Sequence, residues 1–292
     1  MVRTAASREV YVGRYFGERQ VDVTADLVSH YSESVADHYA WYSGESPFSR
    51  PVAPALVLHS EVYRYQGWYL PNVYGNLHAK QEWELFWPIA VGERVTTRST
   101  IVDRYVKRDR EYVVNEVACF GSDGRLLNRG RTHQSFLMDG GAGGLAVDKE
   151  REKRPDRRFE SGQGPALEEL PALVKDVTLD MCQKFSGPAK NYHTDREAAR
   201  ALGFPDIVVQ GMMSLCFLSE MMTERFGVGW YVGGRMSVNL VNVLWLGERL
   251  TCRGVVRELA PAGVGRRAKV EVWCQKEDGT KTVVGTASAV ID

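Results

Sequence analysis

The heptapeptide GERVTTR, from Gly92 to Arg98, returns as GERLTCR from Gly247 to Arg253, 155 residues later. The same offset relates two further features: Asp123-Gly124 to Asp278-Gly279, and Cys119 to Cys274. Separated matches at one offset, without gaps, indicate an internal repeat. The 292 residues are therefore interpreted as two copies of one structural unit.

The residues around each Asp-Gly pair predict a β-hairpin. Alternating stretches precede the pairs at Tyr112–Val117 and Ala268–Trp273, and others follow at Leu126–Leu137 and Lys281–Ile291. Asp-Gly between such stretches favours a type I′ turn, in which both central residues have positive φ. Each copy is expected to contain an antiparallel sheet.

One segment of each copy predicts a buried helix. Ile207–Arg225 is apolar on almost every face over its first three turns, and Ala53–Tyr65 is its counterpart in the first copy. A helix of this kind must be buried all round, which suits a curved sheet wrapped around it. The predicted fold class is α+β, with two such sheets in tandem that pair edge to edge and cover their exposed edges.

The predicted domains are residues 1–138, a linker at 139–170, and residues 171–292. The linker contains GGAGG at Gly140–Gly144 and a run of mixed charge at Lys149–Arg158. This composition is typical of an exposed, partly mobile connection.

Composition argues against several classes of function. The 37 Lys and Arg residues balance the 37 Asp and Glu residues, so net charge gives no basis for binding nucleic acid or an anionic membrane. Five scattered cysteines without a CxxC pair predict neither a disulfide framework nor a zinc site. Free thiols, an N-terminus without a signal peptide and no long apolar run predict a cytoplasmic protein.

The sequence carries no metal or redox-cofactor motif. It contains no phosphate-binding loop, no dinucleotide fingerprint and no nucleophile elbow. Five histidines show no metal-ligand spacing and are interpreted as packing or surface residues: His30, His38, His59, His78 and His133.

The loop FSGPAKNYHTDREAARALGF, from Phe185 to Phe204, resembles the catalytic loop of the MaoC-like, (R)-specific enoyl-CoA hydratase (hydratase 2) family. The residues in register with the family motif are Ser186-Gly187, His193-Thr194-Asp195, Gly203-Phe204-Pro205 and Gly211-Met212. Leu77–Glu82 and Trp87–Glu93 are similar to motifs of the same family, so the resemblance covers most of the chain. It implies a double hotdog, in which each half is an antiparallel curved sheet wrapped around a central helix.

The resemblance implies a lyase that hydrates a trans-2-enoyl thioester or catalyses the reverse dehydration. In the family, an Asp and a His five residues apart hold and deprotonate the water. Backbone N–H groups at the start of the buried helix stabilise the enolate oxygen. His193 is then the acid–base residue and Gly211 an oxyanion donor. The implied partner is an acyl-CoA or acyl-carrier-protein substrate, with no further cofactor, and a homodimer is compatible with it.

The loop departs from the family where the acid should stand. Pro188 occupies the Asp position, five residues before His193, and Lys190 and Asn191 replace the family's Asn and Pro. Because proline has no acid–base chemistry, the catalytic pair cannot be carried over whole. Asn191 is a candidate to position water or a substrate carbonyl, with local backbone bonding as the alternative.

Four other positions in the second half are candidates for a role at the site. Gln210 replaces the family's His and either contacts substrate or caps the helix, while Lys190 is a candidate substrate contact. Gly211 either donates to the oxyanion or only allows close packing. Asp195 is interpreted as a helix N-cap rather than a substitute acid.

The first half has a loop that can be laid over the catalytic one. Asp37 then takes the Asp position and Tyr42 the His position. A surface or capping role for Asp37 is favoured over a pair shared with His193. Trp41 and Tyr42 are predicted to line an aromatic pocket for a bulky or ring-bearing acyl group.

Other reactions stay open for a loop with one imidazole. Thioester cleavage, isomerisation or decarboxylation using His193 alone are alternatives, and so is a non-catalytic protein that binds acyl thioesters. The fold hosts several reactions and does not choose among them.

Overall fold

The computed structural model describes residues 10–65, 76–107, 110–137, 159–263 and 265–291. The strands of these residues are β1 (Tyr15–Asp22), β2 (Leu77–Leu85), β3 (Arg94–Lys107), β4 (Arg110–Phe120), β5 (Leu126–Leu137), β6 (Glu168–Glu169), β7 (Leu173–Asp176), β8 (Arg235–Leu240), β9 (Arg249–Ala262), β10 (Gly265–Lys276) and β11 (Lys281–Ile291). The helices are α1 (Ala25–Val35), α2 (Leu179–Ser186), α3 (Arg196–Ala201), α4 (Gly211–Phe226) and α5 (Val228–Tyr231), with 3₁₀ turns at Ala40–Tyr42 and Glu61–Tyr63.

All these strands form one antiparallel sheet. Its order is β1-β3-β4-β5-β2-β8-β11-β10-β9-β6, and β7 also pairs with β9. The first half contributes β1–β5 and the second half β6–β11. The halves join where β2 pairs with β8, with Trp83 opposite Met236. The predicted edge-to-edge pairing of the two sheets is therefore confirmed.

The repeated heptapeptide makes the same contacts in both halves. Its glutamate accepts a hydrogen bond from the backbone three residues earlier, and its arginine makes a two-bond ion pair with an aspartate on the neighbouring strand. These pairs are Glu93 with Ala90, Glu248 with Trp245, Arg94 with Asp22, and Arg249 with Asp176. The repeat thus specifies the turn that opens β3 and β9 and the partner strand of each.

Both predicted Asp-Gly hairpins form, but not with the predicted turn. Gly124 and Gly279 have positive φ, 80° and 83°, whereas Asp123 and Asp278 do not. Each aspartate instead accepts a hydrogen bond from the backbone two residues later. The connection is thus a longer turn with one left-handed glycine, and the type I′ prediction was wrong.

The buried helix of the second half is confirmed, and its counterpart is corrected. Helix α4 begins at Gly211 and is buried on nearly all sides. Residues 53–65 instead form turns and one 3₁₀ turn, with hydrogen bonds from Val57 to Pro54 and from His59 to Leu56. The His59 ring also bonds the Leu56 carbonyl, at 3.2 Å. That carbonyl would accept from residue 60 in an α-helix, so the contact favours the tighter turn.

Part of the predicted linker lies against the second half. Residues 139–158, including the glycine-rich and charged runs, lie outside the described residues. Most residues from 159 to 169 are exposed, but Glu168–Glu169 pairs with β9. The Lys281 ammonium also donates to the Phe159 carbonyl, at 2.8 Å. The domain boundaries stay a prediction.

Candidate active site

The loop between α2 and α3 is held together by one amide side chain. Asn191 Nδ2 donates to the carbonyls of Ser186 and Ala189, at 2.9 and 3.0 Å. Its Oδ1 accepts from the backbone N–H of His193, at 2.8 Å. Both donors of the amide are therefore used by the loop. Asn191 acts on the site through the backbone of His193, which its Oδ1 holds in place.

His193 is fixed in one tautomer by the backbone. Its Nδ1 lies 2.7 Å from the carbonyl of Val208, and the Val208 N–H donates back to the Tyr192 carbonyl. A carbonyl only accepts, so Nδ1 carries the proton and Nε2 keeps its lone pair. Nε2 has no hydrogen-bond partner within the described residues. Burial lowers the pKa of His193 to about 4, against the opposing effect of the Val208 bond. The imidazole is thus a neutral base at physiological pH.

The start of α4 lies three residues beyond Val208. Gln210 is its N-cap residue, but the side chain makes no capping bond, and its Oε1 is buried without a hydrogen-bond partner. A Cβ at Gly211 would overlap Leu240 Cδ2, so only glycine fits without movement of the Leu240 side chain. In the first turn, the N–H groups of Gly211 and Met212 make no hydrogen bond to the described backbone.

The outer side of the loop carries the other predicted residues. Pro188 is exposed. Asp195 caps α3 by accepting from Ala198 N at 2.9 Å, so its interpretation as an N-cap is confirmed. That bond, helped by Lys190, lowers the pKa of Asp195. The Lys190 side chain is 82% exposed and pairs with Asp195 at 3.3 Å, so the structure places it in solvent, away from the buried imidazole.

Known structures share this fold over nearly the whole chain. No family model and no curated protein matches the sequence. A solved MaoC-like dehydratase is 17% identical with a TM-score of 0.72, covering 97% of this chain and 98% of that one. A MaoC-like dehydratase from Phytophthora capsici is 16% identical with a TM-score of 0.71, covering 97% of each chain. A Mycobacterium tuberculosis protein with a double hotdog fold is 12% identical with a TM-score of 0.60, covering 95% of this chain and 98% of that one. This chain is a double hotdog.

The two corresponding loops of the double hotdog lie at opposite ends of α4. Trp41 packs against Tyr231, just beyond the C-terminal end, with ring centroids 5.9 Å apart. A helix of 16 residues is about 24 Å long, so this contact is remote from the helix start. The structure therefore does not bring Asp37, Trp41 and Tyr42 to His193.

Asp37 is buried rather than at the surface, which corrects the expectation from sequence. It is 3% exposed, and the Tyr42 hydroxyl donates to its Oδ2 at 2.7 Å. Burial raises the pKa of Asp37, against the opposing effects of the Tyr42 bond and of Lys175. The two residues laid over the family's Asp and His thus contact each other, but at a separate place in the double hotdog.

Sequence reasoning missed the ion pair beside Asp37. Lys175 donates to Glu220 at 2.7 Å and to the carbonyls of Val35 and Ala36 at 3.1 and 2.7 Å. Burial and the charge of Asp37 raise the pKa of Glu220 to about 8, while Lys175 lowers it. The available signal was an acidic residue inside the apolar run of α4.

Sequence reasoning also missed the first-half residues beside the His193 loop. The His59 ring stacks on Phe185, with centroids 4.3 Å apart. Burial, with Tyr192 as a smaller contributor, raises the pKa of Tyr63 well above its usual range. The signal was the internal repeat, since residues 53–65 correspond to the start of α4. The wall of the site is therefore shared between the halves.

Three general properties complete the description. No group of three His, Cys, Asp or Glu side chains in the described residues could hold a metal ion. All five cysteines are buried free thiols. None of the described helices is long and apolar enough to cross a membrane.

Proposed function

We propose that this double hotdog protein is an acyl-thioester hydratase/dehydratase in which one imidazole moves the proton. The observation that carries the proposal is the His193–Val208 hydrogen bond. It leaves Nε2 unprotonated and ties the ring to Val208, three residues before a helix start whose first N–H groups are free of backbone partners. The fold supports this assignment. The proposed substrate is an acyl group joined through a thioester to CoA or to a carrier protein.

The proposed reaction needs no second acid. Nε2 of His193 takes a proton from water as the water oxygen attacks Cβ of the enoyl thioester. The developing enolate oxygen accepts hydrogen bonds from the first N–H groups of α4, including that of Gly211, where the helix dipole favours negative charge. The imidazolium then returns the same proton to Cα. The product is the 3-hydroxyacyl thioester, and dehydration follows the reverse path.

The test is hydration of crotonyl-CoA, followed by loss of the enoyl-thioester absorbance. We expect His193→Ala to lower kcat by about 10²- to 10⁴-fold, the usual contribution of a positioned acid–base group. His38→Ala is the matched control, because His38 is an exposed histidine on the first-half loop. Both variants should show the same thermal unfolding midpoint to within a few degrees.

Different outcomes separate the competing reactions. Unchanged hydration by His193→Ala would contradict the proposal. Thiol release from saturated butanoyl-CoA, without hydration of crotonyl-CoA, would identify a thioesterase. Binding of crotonyl-CoA without any turnover would identify a binding protein.

A further inference from the structure

The inner face of the first sheet is polar where the inner face of the second is apolar. Five polar residues of β2–β5 are at most 2% exposed: Gln81, Ser99, Asn115, Thr132 and Gln134. The residues 155 positions later are Met236, Gly254, Val270, Ala287 and Ala289. Strand pairing confirms the equivalence for one set, since Thr132 lies between Asn115 and Gln81. The corresponding Ala287 lies between Val270 and Met236.

Most of these polar groups are paired with one another. Ser99 donates to Asn115 Oδ1, and Thr132 donates to Gln81 Oε1, both at 2.8 Å. Gln134 differs, because it is 0% exposed and both polar atoms of its amide lack a hydrogen-bond partner. Buried polar atoms without partners are costly, and each one in a folded protein requires an explanation.

Gln134 lies on the side of the face that leads to the His193 loop. It pairs with Val113 of β4, and the 3₁₀ turn at Glu61–Tyr63 packs against β4. His59, two residues before that turn, stacks on Phe185 of the loop at 4.3 Å. The polar face is thus continuous with the proposed active site.

Other buried polar atoms without partners belong to the same neighbourhood. They are His59 Nε2, Ser186 Oγ and Gln210 Oε1. Ser186 follows Phe185, on which His59 stacks, and Gln210 precedes Gly211 at the helix start. Unmet hydrogen-bonding capacity therefore gathers around the loop and the start of α4.

We propose that this polar face is the acyl-binding subsite, and that the acyl group carries a hydroxyl or carbonyl oxygen that hydrogen bonds to the Gln134 amide. The inference rests on the proposed function. An amide offers one acceptor and two donors, so a hydroxyl can both donate to it and accept from it. A purely hydrocarbon chain would leave those atoms unpaired. The second half, whose face is apolar and covered by α4, has no such subsite.

The test compares trans-2-hexenoyl-CoA with its 5-hydroxy, 6-hydroxy and 5-oxo derivatives. We expect kcat/KM of the unmodified protein to favour at least one oxygenated substrate by about 10- to 100-fold. Gln134→Leu, which keeps the size of the side chain, should lose that preference. Asn128→Leu is the control, because Asn128 Oδ1 is also buried and unpartnered on β5. It lies six residues away, about 20 Å along the strand, and should keep the preference.

Direct binding separates this inference from the proposed function. Titration calorimetry with hexanoyl-CoA and 6-hydroxyhexanoyl-CoA measures the preference without any turnover. Absent hydration with a Gln134-dependent binding preference would overturn the proposed reaction and keep the subsite. Equal kcat/KM and equal binding for plain and oxygenated chains would overturn the subsite. A preference that survives Gln134→Leu would also overturn the subsite. In that case a buried water would be the hydrogen-bond partner of Gln134.

Discussion

At the scale of single residues, the site is defined by one substitution and one hydrogen bond. Pro188 stands where the resemblance supplies an acid, and it is exposed. His193 donates through Nδ1 to a backbone carbonyl, so the ring is oriented without a carboxylate. The imidazole is therefore oriented by the main chain, and its Nε2 is available as a base without a partner acid.

The pH dependence of hydration follows from the pKa of His193. Burial lowers that pKa to about 4, so the base form predominates above about pH 5. We expect kcat/KM for crotonyl-CoA to be flat between about pH 6 and 8 and to fall tenfold per unit only below about pH 4. Stopped-flow pH jumps avoid acid unfolding. An acid limb near the ordinary histidine value of about 6.5 would contradict this environment.

Asn191 is expected to act through His193 as a positioning residue. Asn191→Ala removes three hydrogen bonds within the loop. We expect kcat to fall more than KM changes, and the free energy of unfolding to fall by about 1–3 kcal/mol. Thr24→Ala is the control, because it removes a helix cap far from the loop: Leu27 N donates to the Thr24 hydroxyl at 3.1 Å. Loss of this cap should lower the free energy of unfolding by about 1 kcal/mol. A fall in kcat for both variants alike would mean that only stability is affected.

At the scale of elements, the two halves have diverged most at the buried helix. Helix α4 fills the second sheet with an apolar surface, whereas residues 53–65 turn tightly and place His59 beside the opposite loop. A side chain at Gly211, the first residue of α4, would displace the Leu240 side chain of β8. Gly211 therefore combines the two properties that the sequence offered as alternatives: it packs closely against Leu240, and its N–H has no partner in the described backbone.

Close packing at the helix start can be tested by a double-mutant cycle. Gly211→Ala should lower the free energy of unfolding by about 1–3 kcal/mol, since the new methyl group overlaps Leu240. It should also lower kcat by shifting the first N–H groups of α4. Leu240→Ala in the same chain should recover part of the loss, measured by chemical denaturation. Additive effects of the two changes would show that the residues do not meet.

At the scale of the whole molecule, the halves are joined by strand pairing and by a buried charge cluster. The β2–β8 pair makes the sheet continuous. Lys175 of the second half donates to two carbonyls at the end of α1 and to Glu220. The charged groups acting on Glu220 are Asp37, Lys175 and the exposed Glu224.

Stability should depend on pH through Glu220. Its pKa is about 8 in the folded protein against 4.5 for an ordinary glutamate. Between these values the folded state holds a proton that the unfolded chain releases, so the free energy of unfolding falls as pH rises. Glu220→Gln removes this titration. Relative to the unmodified protein, its stability should therefore rise by about 1–3 kcal/mol from pH 5 to pH 8.5, measured by denaturation. A constant difference across that range would contradict the raised pKa.

The sequence predicted the duplicated sheet, its hairpins, helix α4 and the His193 loop. Local patterns carry these features, because strand alternation, turn glycines and an apolar helix are written in neighbouring residues. The predicted turn type was wrong, since each aspartate side chain accepts from the backbone two residues later. The helix predicted at 53–65 was wrong, since the backbone there makes i to i+3 hydrogen bonds, from Val57 to Pro54 and from His59 to Leu56.

What the sequence determined by itself was the repeat and the fold it implies, and it supplied His193 as the candidate base. Only the tertiary structure decided which residues lie close to one another in space. Asp37 follows Ala36, whose carbonyl shares Lys175 with Glu220 in the C-terminal half of α4. His59, by contrast, stacks on Phe185 of the His193 loop. The sequence likewise did not predict that Glu220 and Gln134 are buried. These properties depend on contacts between residues far apart in sequence, which local pattern does not encode, whereas the repeat is encoded residue by residue.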